Sequence, residues 1–398
     1  MTTFRLLKNG AAAFPEMFRA IDGATSSIAL EMYIIADDET GGALRERLIK
    51  AAERGVQVMV LVDALGSWNL PDALWDELRA AGGKVRWFRP IAKGVFFFRN
   101  HRKLLLVDDS LAYLGGMNIA DEYYLGAHGE LPWRDNMLEI AGPDAAWLRG
   151  SFLRMWDRTG SPFRGFLLRL YRDRDRRTAG EGGVRFLESG PENPMRPVRG
   201  AYRQVIQNAR AGLDLAMGYF YPHGGMLRAL KRAVKRGVRV RLLFSRKTDV
   251  PVARWAARGL YGILLRAGIE VWEYLPAMMH AKLAIADDTV VAGSANLDIR
   301  SGSINYELVA VVTDVELAKR ASADFEDDLK QSVRIQLEEW RKRSIIQKIK
   351  ERFSYYLLAR FDIFVARREM ARKGVGRGTG DGGRGSEKPE PRTPNPEP

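Results

Sequence analysis

No cysteine occurs among the 398 residues of this chain. Disulfides and thiolate metal ligands are therefore excluded, and a reducing compartment is permitted. Long hydrophobic runs are missing too: no apolar stretch reaches the roughly 18 residues that a membrane-spanning helix requires. The first residues, Met1 to Arg19, lack the charged-then-apolar layout of a signal peptide. Whatever the protein does at a membrane it is expected to do peripherally, from the surface. Acidic residues are in deficit, with 49 Asp and Glu against 63 Lys and Arg, a formal net charge of +14. Such an excess implies an anionic partner, either nucleic acid or anionic lipid. Both are phosphodiesters, so charge alone does not choose. Histidine is scarce as well, at four residues, and half of these fall into one repeated pattern.

The first copy reads N-H-R-K-L-L-L-V-D-D from Asn100 to Asp109 and is followed by G-G-M-N from Gly115 to Asn118. The second reads M-H-A-K-L-A-I-A-D-D from Met279 to Asp288, followed by G-S-A-N from Gly293 to Asn296. Both contain H-x-K-x-x-x-x-D: His101, Lys103 and Asp108, then His280, Lys282 and Asp287. The His-to-Asn spacing is 17 residues in one copy and 16 in the other, and the two His stand 179 positions apart. One such pattern is weak. Its duplication, with a glycine turn and an Asn at matching offsets, points to a single bilobal active site.

The apolar runs Leu104 to Val107 and Leu283 to Ile285 predict buried strands, with Leu111 to Leu114 and Thr289 to Ala292 as their neighbours. At a period of two, the His and Lys of each motif project from one strand face. Gly115-Gly116 and Gly293-Ser294 let the backbone approach a ligand closely and bring Asn118 or Asn296 beside the His and Lys. Two such half-sites suit phosphodiester chemistry. One imidazole attacks phosphorus and the other protonates the leaving alkoxide, while Lys103, Lys282, Asn118 and Asn296 hold the non-bridging oxygens. Burying an unpaired ammonium is costly, so two strand lysines argue for chemistry rather than packing. Asp108 and Asp287 are read either as chemical participants or as supports at a strand-ending turn. No carboxylate cluster suggests a metal, and no cofactor is expected.

Strand and helix patterns alternate in both halves. They predict an α/β protein of two α/β sandwich lobes, each a mixed sheet flanked by helices, with the active site in the cleft between lobes. The expected organisation is a first lobe over residues 1–160, an interlobe segment 161–183, a second lobe 184–333, a basic helical region 334–373 and a tail 374–398. In the interlobe segment Phe163, Phe166, Leu167, Leu170 and Tyr171 interleave with Arg164, Arg169 and Arg172. That pattern is either an ordinary helix or a basic amphipathic one facing a membrane. Val95 to Phe98 is either a buried strand or a lipid-touching loop. Arg334 to Lys373 holds 12 Lys or Arg against 5 Asp or Glu, a net +7 and half of the whole excess. Its apolar stripe (Ile345, Ile346, Ile349, Phe353, Tyr356, Leu357, Phe361, Phe364 and Val365) predicts an amphipathic helix, lying on an anionic bilayer or packed back on the second lobe. From Gly374 onward the Gly-, Pro- and Arg-rich composition predicts disorder.

On these residues the chain resembles the phospholipase D superfamily, whose signature is this duplicated motif, over roughly residues 1 to 330. Trp133-Arg134-Asp135, and Asn296 to Ser301 with Asn305 and Glu307, are similar to the motif extensions of bacterial cardiolipin synthases. So are Leu6-x-x-Asn9-Gly10 and Tyr219-Phe220-Tyr221-Pro222. The resemblance implies that Asp135 and Glu307 orient the catalytic imidazoles, with His101 as nucleophile and His280 as acid/base, although the sequence itself is nearly symmetric. It implies a phosphatidyltransferase: His101 takes a phosphatidyl group from phosphatidylglycerol as a phosphohistidine, glycerol leaves, and a second phosphatidylglycerol or another alcohol resolves the intermediate. The expected partners are an anionic phospholipid and the membrane surface, on the cytoplasmic face of a bacterial cell membrane. A phospholipase D that uses water in the second step is the alternative. A nuclease is disfavoured because no nucleic-acid module is recognisable, and a non-catalytic scaffold does not fit two intact motifs. Gly116, where the second copy has Ser294, removes a hydroxyl from one phosphate-facing turn.

Overall fold

The computed structural model describes residues 1–89, 98–159, 183–191, 193 and 195–372. Each half of the chain builds a mixed sheet on one plan. The first contains β1 (Thr3–Lys8), β2 (Ser27–Met32), β3 (Gln57–Asp63), β4 (Lys84–Phe88), β5 (Leu104–Val107), β6 (Leu111–Gly115) and β7 (Asn136–Ala141), in the order β1-β7-β6-β5-β2-β3-β4. The second contains β8 (Val184–Ser189), β9 (Gly212–Met217), β11 (Arg239–Ser245), β12 (Glu270–Tyr274), β13 (Lys282–Ala286), β14 (Thr289–Gly293), β16 (Glu307–Thr313) and β17 (Ser332–Arg334). Its order is β17-β12-β11-β9-β13-β14-β16-β8, while β10 (Phe220–Tyr221) and β15 (Leu297–Asp298) form a small ribbon of their own. With β17 set aside, the two sheets correspond strand for strand.

Local sequence explains the mixture. Helices Glu39–Glu53 and Gly224–Lys235 supply the crossovers that parallel neighbours β2–β3 and β9–β11 require. By contrast β5–β6 and β13–β14 are tight antiparallel hairpins. Asp108 and Asp109 turn the first with φ of 50° and 53°, and Asp287 opens the second turn at 54°, a conformation that Asp tolerates better than bulky residues.

The motif strands are apolar without alternation because both of their faces are covered. Leu104 and Leu106 point into a core shared with Leu283, Ile285, Leu308 and Ala310 of the other sheet. Leu105 and Val107 pack beneath helices of the first half, and Ala284 and Ala286 beneath those of the second. Helices Trp147–Asp157 and Val315–Lys330 add Phe152 and Phe325 to the shared core. The two halves are therefore joined along their inner sheet faces, and the motif loops meet at one end of that joint.

Phe98 is buried in the shared core. Val95 to Phe97, the interlobe segment through residue 182, the tail 374–398 and the side chains of Phe361, Phe364 and Val365 lie outside the described residues. Among the described residues no helix is long and apolar enough to cross a membrane. The basic region forms a helix, Ile345–Arg372, seated on helix Pro251–Leu265. It packs back through a mixed face, on which Tyr355 and Leu358 join buried Glu351 and Ser354. Buried Glu351 pairs with Arg258 at 3.2 Å and Arg343 at 3.1 Å, and a Cβ at Gly259 would meet the Glu351 carbonyl at 2.8 Å. From Ile345 to Leu357 the predicted apolar stripe turns outward, with Ile346 80% and Phe353 64% exposed.

Candidate active site

Each motif approaches its strand through an extended lead-in. β5 begins at Leu104 and β13 at Lys282, so both histidines and Lys103 precede the ladder rather than sitting within it. The lead-ins are pinned at equivalent points. Asp63, ending β3, accepts from the Asn100 amide at 2.8 Å and from Arg99 at 2.7 Å. Ser245, ending β11, accepts from the Met279 amide at 2.8 Å. Each lead-in also crosses to the other half. The His101 amide donates to Tyr306 O at 3.0 Å, and the His280 amide to Arg134 O at 2.8 Å. Tyr306 and Arg134 lie one residue before Glu307 and Asp135. The crossing therefore delivers each carboxylate to the opposite histidine.

His101 Nδ1 donates to Glu307 at 3.1 and 3.2 Å from its two oxygens. His280 Nδ1 lies 2.7 Å from Asp135 Oδ2. A carboxylate on Nδ1 leaves Nε2 as the ring atom for attack on phosphorus or for proton transfer. At His280 the Lys282 ammonium also lies 2.8 Å from Nδ1 and 3.1 Å from Nε2. Both carboxylates are fully buried and held. Glu307 accepts from the Ser294 hydroxyl, and Asp135 from the Asn136 amide at 2.7 Å. Ser294 thus faces the carboxylate, not the phosphate as the sequence suggested. Gly116 has its own reason: a Cβ there would stand 2.4 and 2.6 Å from the Asp135 oxygens.

Lys103 donates to the His101 carbonyl at 2.7 Å, and Lys282 to the carbonyl of His280. Burial and mutual repulsion push the Lys103 ammonium down to about 7, against the pull of Glu307 and Asp135. Burial likewise lowers Lys282. Burial and then Lys103 hold His101 below the usual imidazole range, while burial and Lys282 bring His280 to about 4. Lys282 also acts on His101, and Lys103 on His280, so the two half-sites share one field. Aromatic rings wall them in: Tyr33 lies 5.0 Å from His101, and Tyr123, Trp133 and Tyr219 lie 5.5, 5.6 and 6.0 Å from His280.

The remaining sequence candidates divide. Asn118 accepts from the Ile34 amide at 3.2 Å and donates to the Tyr123 hydroxyl, itself 3.3 Å from His280 Nδ1. Asn296 is buried, and its carboxamide oxygen has no hydrogen-bond partner. Asp108 and Asp287, counted among the catalytic residues on sequence grounds, are placed elsewhere. Asp108 accepts five hydrogen bonds from Thr25, Ser26 and Ser27 at 2.8–2.9 Å. Asp287 accepts the amides of Arg210, Ala211 and Gly212 at 2.8, 3.0 and 3.1 Å. These carboxylates bind the hairpin turns to the starts of β2 and β9 and hold the motif strands in register. Among the described residues no group of three His, Asp or Glu is arranged to hold a metal ion. Tyr33 and Tyr123 were missed from sequence, and Tyr219 was noted only within a family-like segment. Tyr33 and Tyr219 follow the equivalent strands β2 and β9 but stand one position apart when the repeats are overlaid.

Two sheets of matching strand order, each lending a carboxylate to the other's histidine, define a two-lobed fold with the histidine–carboxylate pairs crossed between its halves. A family model described as "Cardiolipin synthase, PLD-like domain" matches residues 17–156 and 202–329. Cardiolipin synthase 1 of Bacillus cereus is 34% identical over 363 residues, 88% of this chain and 71% of that protein. The major cardiolipin synthase ClsA of Bacillus subtilis is 33% identical over 88% of this chain and 74% of its own length. Cardiolipin synthase A of Pseudomonas putida is 35% identical over 87% and 72%. The crystal structure of phosphatidylserine synthase from Haemophilus influenzae shares the fold, with a TM-score of 0.69 at 15% identity over 92% of this chain and 94% of that one. The chain belongs to the cardiolipin synthase family of PLD-like proteins and is a phosphatidyltransferase of that superfamily.

Proposed function

We propose that the enzyme moves a phosphatidyl group from one phosphatidylglycerol to another through a phosphohistidine on His101. Nε2 of His101 attacks phosphorus, the phosphorus–oxygen bond to glycerol breaks, and His280, which enters this step protonated on both ring nitrogens, delivers its Nε2 proton to the departing oxygen. His280 then takes the proton from a hydroxyl of the second lipid as that oxygen bonds phosphorus and the phosphorus–nitrogen bond breaks. Lys103 and Lys282 offset the charge on the non-bridging oxygens in a water-poor site, where such contacts are strong. The observation that carries this reading is the crossed pair of carboxylates, Glu307 on His101 and Asp135 on His280. It fixes each imidazole through Nδ1, so that Nε2 is left for the nucleophile's role on His101 and the proton carrier's on His280.

The same reading seats the protein on the bilayer through helix Ile345–Arg372. Exposed Ile345, Ile346, Ile349, Phe353 and Leu357 would enter the interface, while Lys348, Lys350 and Arg352 meet anionic headgroups. The test is incubation with phosphatidylglycerol vesicles and mass spectrometry of the lipids. Cardiolipin with equimolar glycerol is expected, abolished in His101→Ala and in His280→Ala. Phosphatidic acid as the main product would make the enzyme a hydrolase, and unchanged lipid would overturn the proposal.

A further inference from the structure

Beside the second motif turn lies a concavity of about 290 Å³ whose lining includes Arg199, Arg203, Arg228 and Asn296. It opens between the first turns of two twelve-residue helices, Pro197–Asn208 and Gly224–Lys235. Backbone N–H groups at such ends are unsatisfied within the helix and favour an anion. The Arg228 guanidinium lies over one of these turns, 3.5 Å from where a Cβ of Gly224 would stand. Among the described residues Arg199, Arg203 and Arg228 make no ion pair with a carboxylate. The one acidic residue of the lining, Asp298, accepts from the Ser301 amide at 2.7 Å. Asn296 is 5% exposed, and its carboxamide oxygen has no hydrogen-bond partner. It follows the turn whose Ser294 holds Glu307 against His101. Asn296 is therefore common to the second motif turn and to the lining of the concavity.

The product of the proposed transfer carries two phosphates joined by a glycerol with a free middle hydroxyl. While the donor's phosphate is bonded to His101, the acceptor's own phosphate needs a second anionic site a glycerol length away. We propose that this concavity takes the phosphoglycerol headgroup of the acceptor lipid, its phosphate on Arg199, Arg203 and Arg228 and its secondary hydroxyl on the Asn296 oxygen. The inference rests on the transferase reading. The acceptor's primary hydroxyl is then the group that gives its proton to His280 and its oxygen to phosphorus.

The test uses Arg203→Gln/Arg228→Gln, two exposed positions, on phosphatidylglycerol vesicles with labelled glycerol. Exchange of labelled glycerol into phosphatidylglycerol needs the phosphohistidine but no acceptor phosphate, and it also reports a folded enzyme. Cardiolipin formation needs both. The ratio of cardiolipin formation to exchange should fall about tenfold or more in the variant. Inorganic phosphate should suppress cardiolipin formation ahead of exchange in the parent and lose that selectivity in the variant, whereas a lipid-only effect would leave phosphate inert in both. An unchanged ratio, whether both rates fall or neither does, overturns the pocket. A parent enzyme with neither reaction overturns the transferase reading instead.

Discussion

Glu307 stands 3.1 Å from His101, a residue 206 positions earlier in the chain and on the other sheet. The reciprocal bond joins Asp135 to His280 across the same boundary. Neither half therefore holds a complete histidine–carboxylate pair. Separating the lobes would disable both half-sites, because each imidazole would lose the group that fixes its tautomer.

The crossed pairing can be read residue by residue. Asp135→Asn should shift the imidazole nitrogen resonances of His280, and Glu307→Gln those of His101, each lowering kcat by about 10²- to 10⁴-fold. Were Asp135→Asn to move His101 and spare His280, the assignment would be wrong.

Gly116 should tolerate no side chain. A methyl group displaces the Asp135 carboxylate, so Gly116→Ala should lower kcat by about 10²-fold through misplacement of His280. The melting temperature should move little, and full activity in this variant would refute the packing argument.

Asp108 should matter to stability rather than to turnover. Its carboxyl is held well below the usual range by the Thr25–Ser27 hydrogen bonds. That stabilisation is present above pH about 4 and is lost as pH falls toward the lowered value. Asp108→Ala should cost about 1–3 kcal/mol in urea unfolding at pH 7 with kcat nearly intact. A large kcat loss at parental stability would return Asp108 to the chemistry.

The alkaline limb of kcat/KM should belong to Lys103. With the ammonium brought down to about 7, its charge, and with it the hold on phosphate, disappears as pH rises through that value. His101, held below the usual imidazole range by burial and Lys103, keeps its lone pair near neutrality and sets the acid limb. His280 must hold a proton for the first transfer, so its lowering to about 4 limits activity from the alkaline side at lower pH, and the fall near 7 remains the lysine's. Arginine stays charged, so Lys103→Arg should remove the limb near 7, whatever its effect on kcat. Persistence of that limb would assign it to another group.

Membrane attachment should reside in the outward stripe. Ile346→Ser/Phe353→Ser should weaken partitioning onto anionic vesicles by about tenfold or more and leave turnover on detergent-dispersed substrate. Equal binding by the variant would exclude the helix from the interface. Deleting residues 334–398 is a poorer test, since buried Trp340 and Glu351 belong to the fold.

Much of the site was legible because its signals are local. Continuous apolar runs marked β5 and β13, and a His-x-Lys on each lead-in marked costly buried charge. Asp108 and Asp287 stayed open between two readings because an Asp at the end of a hairpin strand looks alike whether it serves a turn or a substrate; their acceptor bonds to residues 80 or so positions away decide for the turn. The stripe after Ile345 showed an amphipathic helix but not which face would meet the protein, because the buried side combines Tyr355 and Leu358 with an ion-paired Glu351 that hydropathy scores as polar.

The duplicated spacing of His, Lys, Asp and Asn, written along the chain, determined by itself that two like half-sites exist and what groups they bring. Which carboxylate serves which imidazole was decided only by folding. The lead-in of each motif pairs with the strand entrance of the opposite sheet, and a hydrogen bond of about 3 Å is a fact of space that no separation in sequence encodes.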